Sequence, residues 1–148
     1  MGTSITASQN IDAANECLEA INARFSGTGI VASIEHHSNA KKFAFIRITT
    51  PPQHWQALAK WMRFDLEVNY CSMITGTHFP DGPSDRGWEV AYHFLRQPIT
   101  DQLPDTNTVY VAEKLDGKLV PMEFEVLIPL ENNDSPSVPT RSTCLDWR

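Results

Sequence analysis

Apolar side chains recur at three- and four-residue spacing from Ile11 through Ala14, Leu18 and Ile21 to Phe25, which puts them on one face of a helix. Asn10 stands ahead of them as a candidate N-cap, and Ser26 with Gly27 closes the segment. Asp12, Asn15, Glu19 and Arg24 take the wet side. After Gly29 the period drops to two, with Ile30, Ala32 and Ile34 facing one way and Ser33 and Glu35 the other, so a strand follows. His37 to Ala40 reads as a turn and Phe43 to Ile48 as the return strand of a hairpin. Ala44, Ile46 and Ile48 share one of its faces and Phe43 and Phe45 the other. Apolar character on both faces predicts an inner position in the sheet. Thr50-Pro51-Pro52-Gln53 then opens a second helix: Thr50 can cap, Pro51 suits the first helical position, and Gln53 can complete a capping box. Its apolar stripe is Trp55, Leu58, Ala59 and Met62, it ends near Phe64 or Asp65, and Gln56, Lys60 and Arg63 face water. Trp61 falls off the stripe, at the core edge or at a contact with another subunit.

Leu66 to Leu95 supplies two strands, with Val68, Tyr70 and Ile74 on the first and Trp88, Val90, Tyr92 and Phe94 on the second. The Pro-, Gly- and Asp-rich connector between them belongs on the surface. This pair is expected at the centre of the sheet. A long connection from Gln97 to Thr108 leads to Val109 to Lys114, an Asp116-Gly117 hairpin turn, and a last strand within Leu119 to Leu130. In that strand Met122, Phe124, Val126 and Ile128 alternate with Glu123, Glu125 and Leu127. The expected fold class is α+β: a two-layer sandwich with two helices packed on one face of a mainly antiparallel sheet, and an extended C-terminal tail. The expected organisation is a frayed N-terminus over 1–9, one domain over 10–130, and a tail over 131–148 whose Trp147 needs a dock.

Composition narrows the partners. The 148 residues carry a formal net charge of −6, and the only adjacent basic pair is Lys41 and Lys42, which argues against nucleic acid and against direct docking on anionic lipid. No apolar run reaches the roughly 20 residues that a membrane helix needs, and Met1 to Ile21 lacks the basic-then-apolar plan of a secretory signal; a soluble, cytoplasmic protein is expected. Cys17, Cys71 and Cys144 are scattered without metal or redox spacing and suit a reducing compartment.

Candidate chemistry is sparse. His36 and His37 point to opposite faces of a strand and cannot chelate one ion; His54, His78 and His93 lack ligand spacing. No nucleophile elbow and no strand-to-helix glycine loop is present. SGTGIVAS leaves a helix and enters a strand, the wrong order for phosphate. Asp81, Asp85 and Glu89 gather around the connector, where solvated turn carboxylates are the simpler reading.

The strand Arg86-Gly87-Trp88-Glu89-Val90-Ala91-Tyr92-His93-Phe94-Leu95 resembles the Arg-Phe-Glu-Val-Val-Tyr-His-Leu-Leu strand of the C subunit of respiratory complex I and its counterparts in energy-converting nickel–iron hydrogenases. The shared core is EV.YH.L. Pro136-Ser137-Val138-Pro139-Thr140 and Asp146-Trp147-Arg148 are similar to that family's Pro-Ser-Val-Thr and Ala-Asn-Trp segments. The chain stops at Arg148, before the family's Tyr-Asp-Met-Phe-Gly segment, and has a longer Gln97 to Thr108 connection; the short form looks more like the hydrogenase branch.

The resemblance implies a cofactor-free accessory subunit of a membrane-bound energy-converting hydrogenase, in which the whole complex couples proton reduction to ion translocation. It would pack against the large subunit that bears the nickel–iron centre, with iron–sulfur clusters in further subunits. It would sit peripherally on the inner face of the cell membrane, held through partner subunits. No catalytic, cofactor or metal residue is expected in this chain, and Trp61, Tyr92, His93, Ser137, Asp146, Trp147 and Arg148 are the candidate interface residues. The first alternative is the C subunit of an NADH:quinone oxidoreductase-type complex. The second is a small stand-alone α+β enzyme using His93 or His78 with Asp81 or Asp85, and a third is a small-ligand-binding domain with a closed apolar cavity.

Overall fold

The structure, a computed structural model, describes residues 6–81, 87–96 and 120–130. Among them the order is α1 (Ala7–Phe25), β1 (Val31–His36), β2 (Ala44–Thr49), α2 (Pro52–Phe64), β3 (Tyr70–His78), β4 (Trp88–Arg96) and β5 (Met122–Leu130). The strands form one sheet in the order β1-β2-β5-β4-β3. All neighbours are antiparallel except β2 and β5, which run parallel. This is the expected α+β arrangement of two helices on a mostly antiparallel sheet. The strand expected over Val109 to Lys114, the Asp116-Gly117 turn and the tail lie outside the described residues.

The centre of the sheet is β5, not the β3–β4 pair. β2 and β3 point the same way, and α2 joins them as a crossover that passes over the places of two strands. β4 turns back beside β3, and β5 fills the remaining gap, hydrogen-bonded on both sides. Met122, Phe124, Val126, Ile128 and Leu130 are all buried along one face of β5, consistent with its central place. β3 is left at one edge, with a bulge between Cys71 and Met73, and β1 at the other.

Helix α1 begins four residues earlier than the apolar stripe suggests. Thr6 and Gln9 form a reciprocal capping box: the Gln9 N–H donates to Thr6 Oγ1 at 3.1 Å and the Thr6 N–H to Gln9 Oε1 at 2.9 Å. Asn10 is therefore a buried residue of the first turns and not the cap. The buried stripe is Asn10, Ala13, Ala14, Cys17, Ile21 and Phe25, with Ile11 and Leu18 on its margin. Its small members let α1 lie close against β1 and β2. The helix stops where Gly27 and Gly29 take φ of +77° and +85°, the left-handed region that glycine enters without steric cost.

Helix α2 has the expected stripe, with Trp55, Leu58, Ala59 and Met62 buried. Its start differs: Pro51 occupies the N-cap, Pro52 leads the helix, and no side chain caps it. Thr50 is engaged elsewhere. It is fully buried, its N–H donates to the Leu127 carbonyl at 3.0 Å, and its hydroxyl donates to the Pro51 carbonyl at 3.0 Å. Thr50 thus prolongs the β2–β5 ladder instead of capping α2.

The core lies between the helices and one sheet face. Trp55 sits against Tyr92 with ring centroids 4.6 Å apart and against Phe94 at 5.9 Å. Ile46, Ile48, Phe124, Val126 and Ile128 complete the floor. Each such side chain contributes about 1.5–3 kcal/mol by leaving water.

Candidate functional site

Period-two alternation divides each strand between the core and the opposite face, and no described element covers that opposite face. Strand register lines its residues up in rows. One row runs Ser33, Arg47, Glu125, His93, Met73 across all five strands, and the next runs Val31, Thr49, Leu127, Ala91, Thr75. On the other side of the first row lie Glu35 paired with Phe45, and Glu123 paired with Leu95, which in turn meets Tyr70. The open face is thus mixed: short or apolar along one side, charged and aromatic along the other.

Its charges are organised around Arg47. The Arg47 Nε–H donates to Glu125 Oε2 at 3.0 Å, and Nη1 lies 3.8 Å from Glu35 Oε1. The guanidinium stands 5.5 Å from the centre of the Phe45 ring, within range of a cation–π contact. His37 Nε2 lies 2.5 Å from Glu123 Oε2. A carboxylate only accepts, so the histidine nitrogen is the donor there. The His37 ring also lies 4.8 Å from Phe45. Between β5, β4 and β3 the surface dips into a cleft of about 300 Å³ whose lining includes His37, Phe45, Met73, His93, Leu95 and Glu123. Ser72 at the bulge donates to the His93 carbonyl at 3.0 Å and fixes the cleft's outer wall.

The sequence-predicted residues separate in this geometry. His93 is on the open face, half-buried in the cleft. Tyr92, its neighbour, is 0% exposed and packs on Trp55 and Phe94, so it is a core residue and not an interface one. Adjacent strand residues point to opposite faces, and only one of the pair is available to a partner. Trp61 is half-buried at the core edge, edge-on to Phe25 with centroids 5.3 Å apart. Ser137, Asp146, Trp147 and Arg148 lie outside the described residues.

His78 and His93 are not brought together. His78 stacks on Trp88 at 4.0 Å, on the helix side of the sheet near the β3–β4 turn. His93 is five residues along β4 from Trp88 and faces the other way, about 17 Å distant at ~3.3 Å per residue. Asp81 is exposed in the turn, the His93 cleft includes neither it nor His78, and Asp85 lies outside the described residues. No group of three His, Cys, Asp or Glu among the described residues could hold a metal ion. No helix among them is long and apolar enough to cross a membrane.

Sequence reasoning missed Arg47, His37, Glu123 and Glu125 as a group. The alternation of Glu123 and Glu125 with core residues marks them as facing away from the core. What brings them to His37 and Arg47 is the parallel pairing of β2 with β5, which no local pattern announces. Cys17 is buried on the core face of α1, and burial pushes its thiol above the ordinary value, with Arg96 nearby opposing and Glu16 adding to the effect. Cys71 is half-buried. No protein-family model matches the chain, and no curated protein sequence matches it.

Proposed function

We propose that this chain is a cofactor-free accessory subunit of a membrane-bound energy-converting hydrogenase, packing against the large subunit that bears the nickel–iron centre. The observation that carries this reading is the course of the EV.YH.L strand. It runs as β4, with Tyr92 and Phe94 in the core and His93 on a sheet face that no described element covers. A sheet face that no described element covers has room for a second layer, and an assembly partner can supply one. The nickel–iron centre and the iron–sulfur clusters belong to the partner subunits on this reading, and the chain reaches the inner face of the membrane through them.

Affinity purification of the tagged chain from native membranes tests the proposal. A large hydrogenase-like subunit with iron–sulfur subunits in the eluate is the expected result. Recovery of the chain as a stable monomer from membranes and cytosol alike would overturn it. Recovery with NADH- and quinone-reactive subunits would instead assign it to the quinone-reducing branch.

A further inference from the structure

Among the described residues the open face bears four carboxylates, Glu35, Glu89, Glu123 and Glu125, against one guanidinium, Arg47. Arg47 is shared between Glu35 and Glu125. Glu123 has His37 on one oxygen, and an ionised carboxylate offers about four acceptor sites. Beside Glu123 the cleft presents the apolar side chains of Phe45, Leu95 and Met73, with His93 and Glu125 also in its lining. Next to the cleft, the row Val31, Thr49, Leu127, Ala91, Thr75 is uncharged, and its inner members have short side chains or are half-buried, so a second layer can approach closely along it.

We infer that this cleft receives a basic side chain, arginine or lysine, projected from an otherwise apolar surface of a protein partner. The inference rests on the assembly reading above, under which that partner is the large subunit. Arginine and lysine carry an apolar stem and a cationic head. The stem would lie on Met73 and Leu95, and the head would reach Glu123 beside the Phe45 ring, a charge-assisted hydrogen bond with a cation–π contribution. A second copy of the same face fits poorly, because its carboxylates would meet carboxylates, and like charges across an interface oppose association.

The test co-produces the chain with the large hydrogenase-like subunit and measures the recovered complex at rising salt. Three variants accompany the wild type: Glu123→Lys, Met73→Glu, and Lys60→Glu on the wet side of α2. Residues 123 and 73 are more than half exposed, with Glu123 at 51% for its side chain and Met73 at 56%, so the fold should tolerate both changes. The expected result is recovery of wild type and Lys60→Glu, with salt weakening the wild-type complex. Loss of about tenfold or more is expected for Glu123→Lys, the scale of reversing one interfacial charge, and a smaller loss for Met73→Glu.

Wild-type recovery by both open-face variants would overturn the cleft as the docking point and leave the assembly reading standing. Failure of the wild-type chain to recover the large subunit would overturn the assembly reading and the inference with it. Two further results would overturn the inference alone. One is self-association of the purified chain that either open-face variant abolishes, since a second copy would then be the occupant. The other is a melting temperature several degrees lower for both isolated variants, since the chain would then cover this face itself.

Discussion

Asn10 of α1 is joined to Ala44 of β2 by two hydrogen bonds: the Ala44 N–H donates to Asn10 Oδ1 at 2.7 Å, and Asn10 Nδ2 donates to the Ala44 carbonyl at 3.2 Å. The β2–β5 ladder begins only at Ile46. Ala44 therefore has a backbone donor and acceptor turned toward β5 before β5 can reach them, and the carboxamide supplies the missing pair. Both residues are buried. Replacing Asn10 by Ala leaves both backbone groups out of water without partners, at a cost of about 2–4 kcal/mol for the two. Asn10→Asp keeps the acceptor but sets a carboxylate beside the Ala44 carbonyl, so it too destabilises, and more strongly at neutral than at acid pH. Urea midpoints of the three proteins check both statements.

Trp55 is the largest fully buried side chain, and it touches β4 through Tyr92 and Phe94. Trp55→Ala should cost about 3–5 kcal/mol. Trp55→Phe should cost less, because the Trp55 indole nitrogen has no hydrogen-bond partner among the described residues and only packing is lost. Thermal melts of the two variants would show the ordering.

Gly27 and Gly29 adopt nearly the same positive φ, but their surroundings differ. An added methyl at Gly27 meets nothing within 4 Å, whereas at Gly29 it would lie 3.4 Å from the Pro51 ring. That distance is ordinary contact, so the backbone cost dominates at both sites. Each Gly→Ala change should cost about 1–2 kcal/mol, the scale of a left-handed conformation for an L-residue. Closely similar denaturation midpoints for the two variants are expected; a much larger loss at Gly29 would contradict this assignment.

The Cys17 thiol is held above its ordinary value of 9.0, chiefly by burial. Below that value the thiol is neutral in folded and unfolded chains alike, and pH does not act through it. Above it the unfolded chain loses the proton while the folded chain retains it, so stability falls as pH rises through the alkaline range. Cys17→Ala should show a shallower decline above pH 9. In the native protein Cys71 should react with iodoacetamide well before Cys17, which peptide mass spectrometry resolves.

Helix stripes and strand faces were legible because burial imposes its period directly on the residues: Trp55, Leu58, Ala59 and Met62 are one example, and Met122 to Ile128 another. The start of α1 was harder: Asn10 has the chemistry of a cap, yet the cap is the Thr6–Gln9 box, and Asn10 is drawn away to β2. What engages Asn10 is the distant Ala44 backbone. Thr50 misled for a related reason, its N–H being drawn to Leu127, 77 positions away. Strand order was not legible at all beyond adjacent hairpins, and the Arg47–Glu125 contact depends wholly on it. The split between Tyr92 and His93 follows from strand periodicity alone, although they stand side by side in the EV.YH.L run.

The position of β5 governs the order in which this protein can be made. The two hairpins, β1–β2 and β3–β4, have no hydrogen-bonded edge in common; each touches the other's half of the sheet only through a strand encoded at 122–130. A nascent chain emerging from the ribosome thus carries two incomplete half-sheets, with Ile46, Ile48, Tyr92 and Phe94 facing an empty slot. Closing that slot joins residues far apart in sequence, the kind of contact that slows folding.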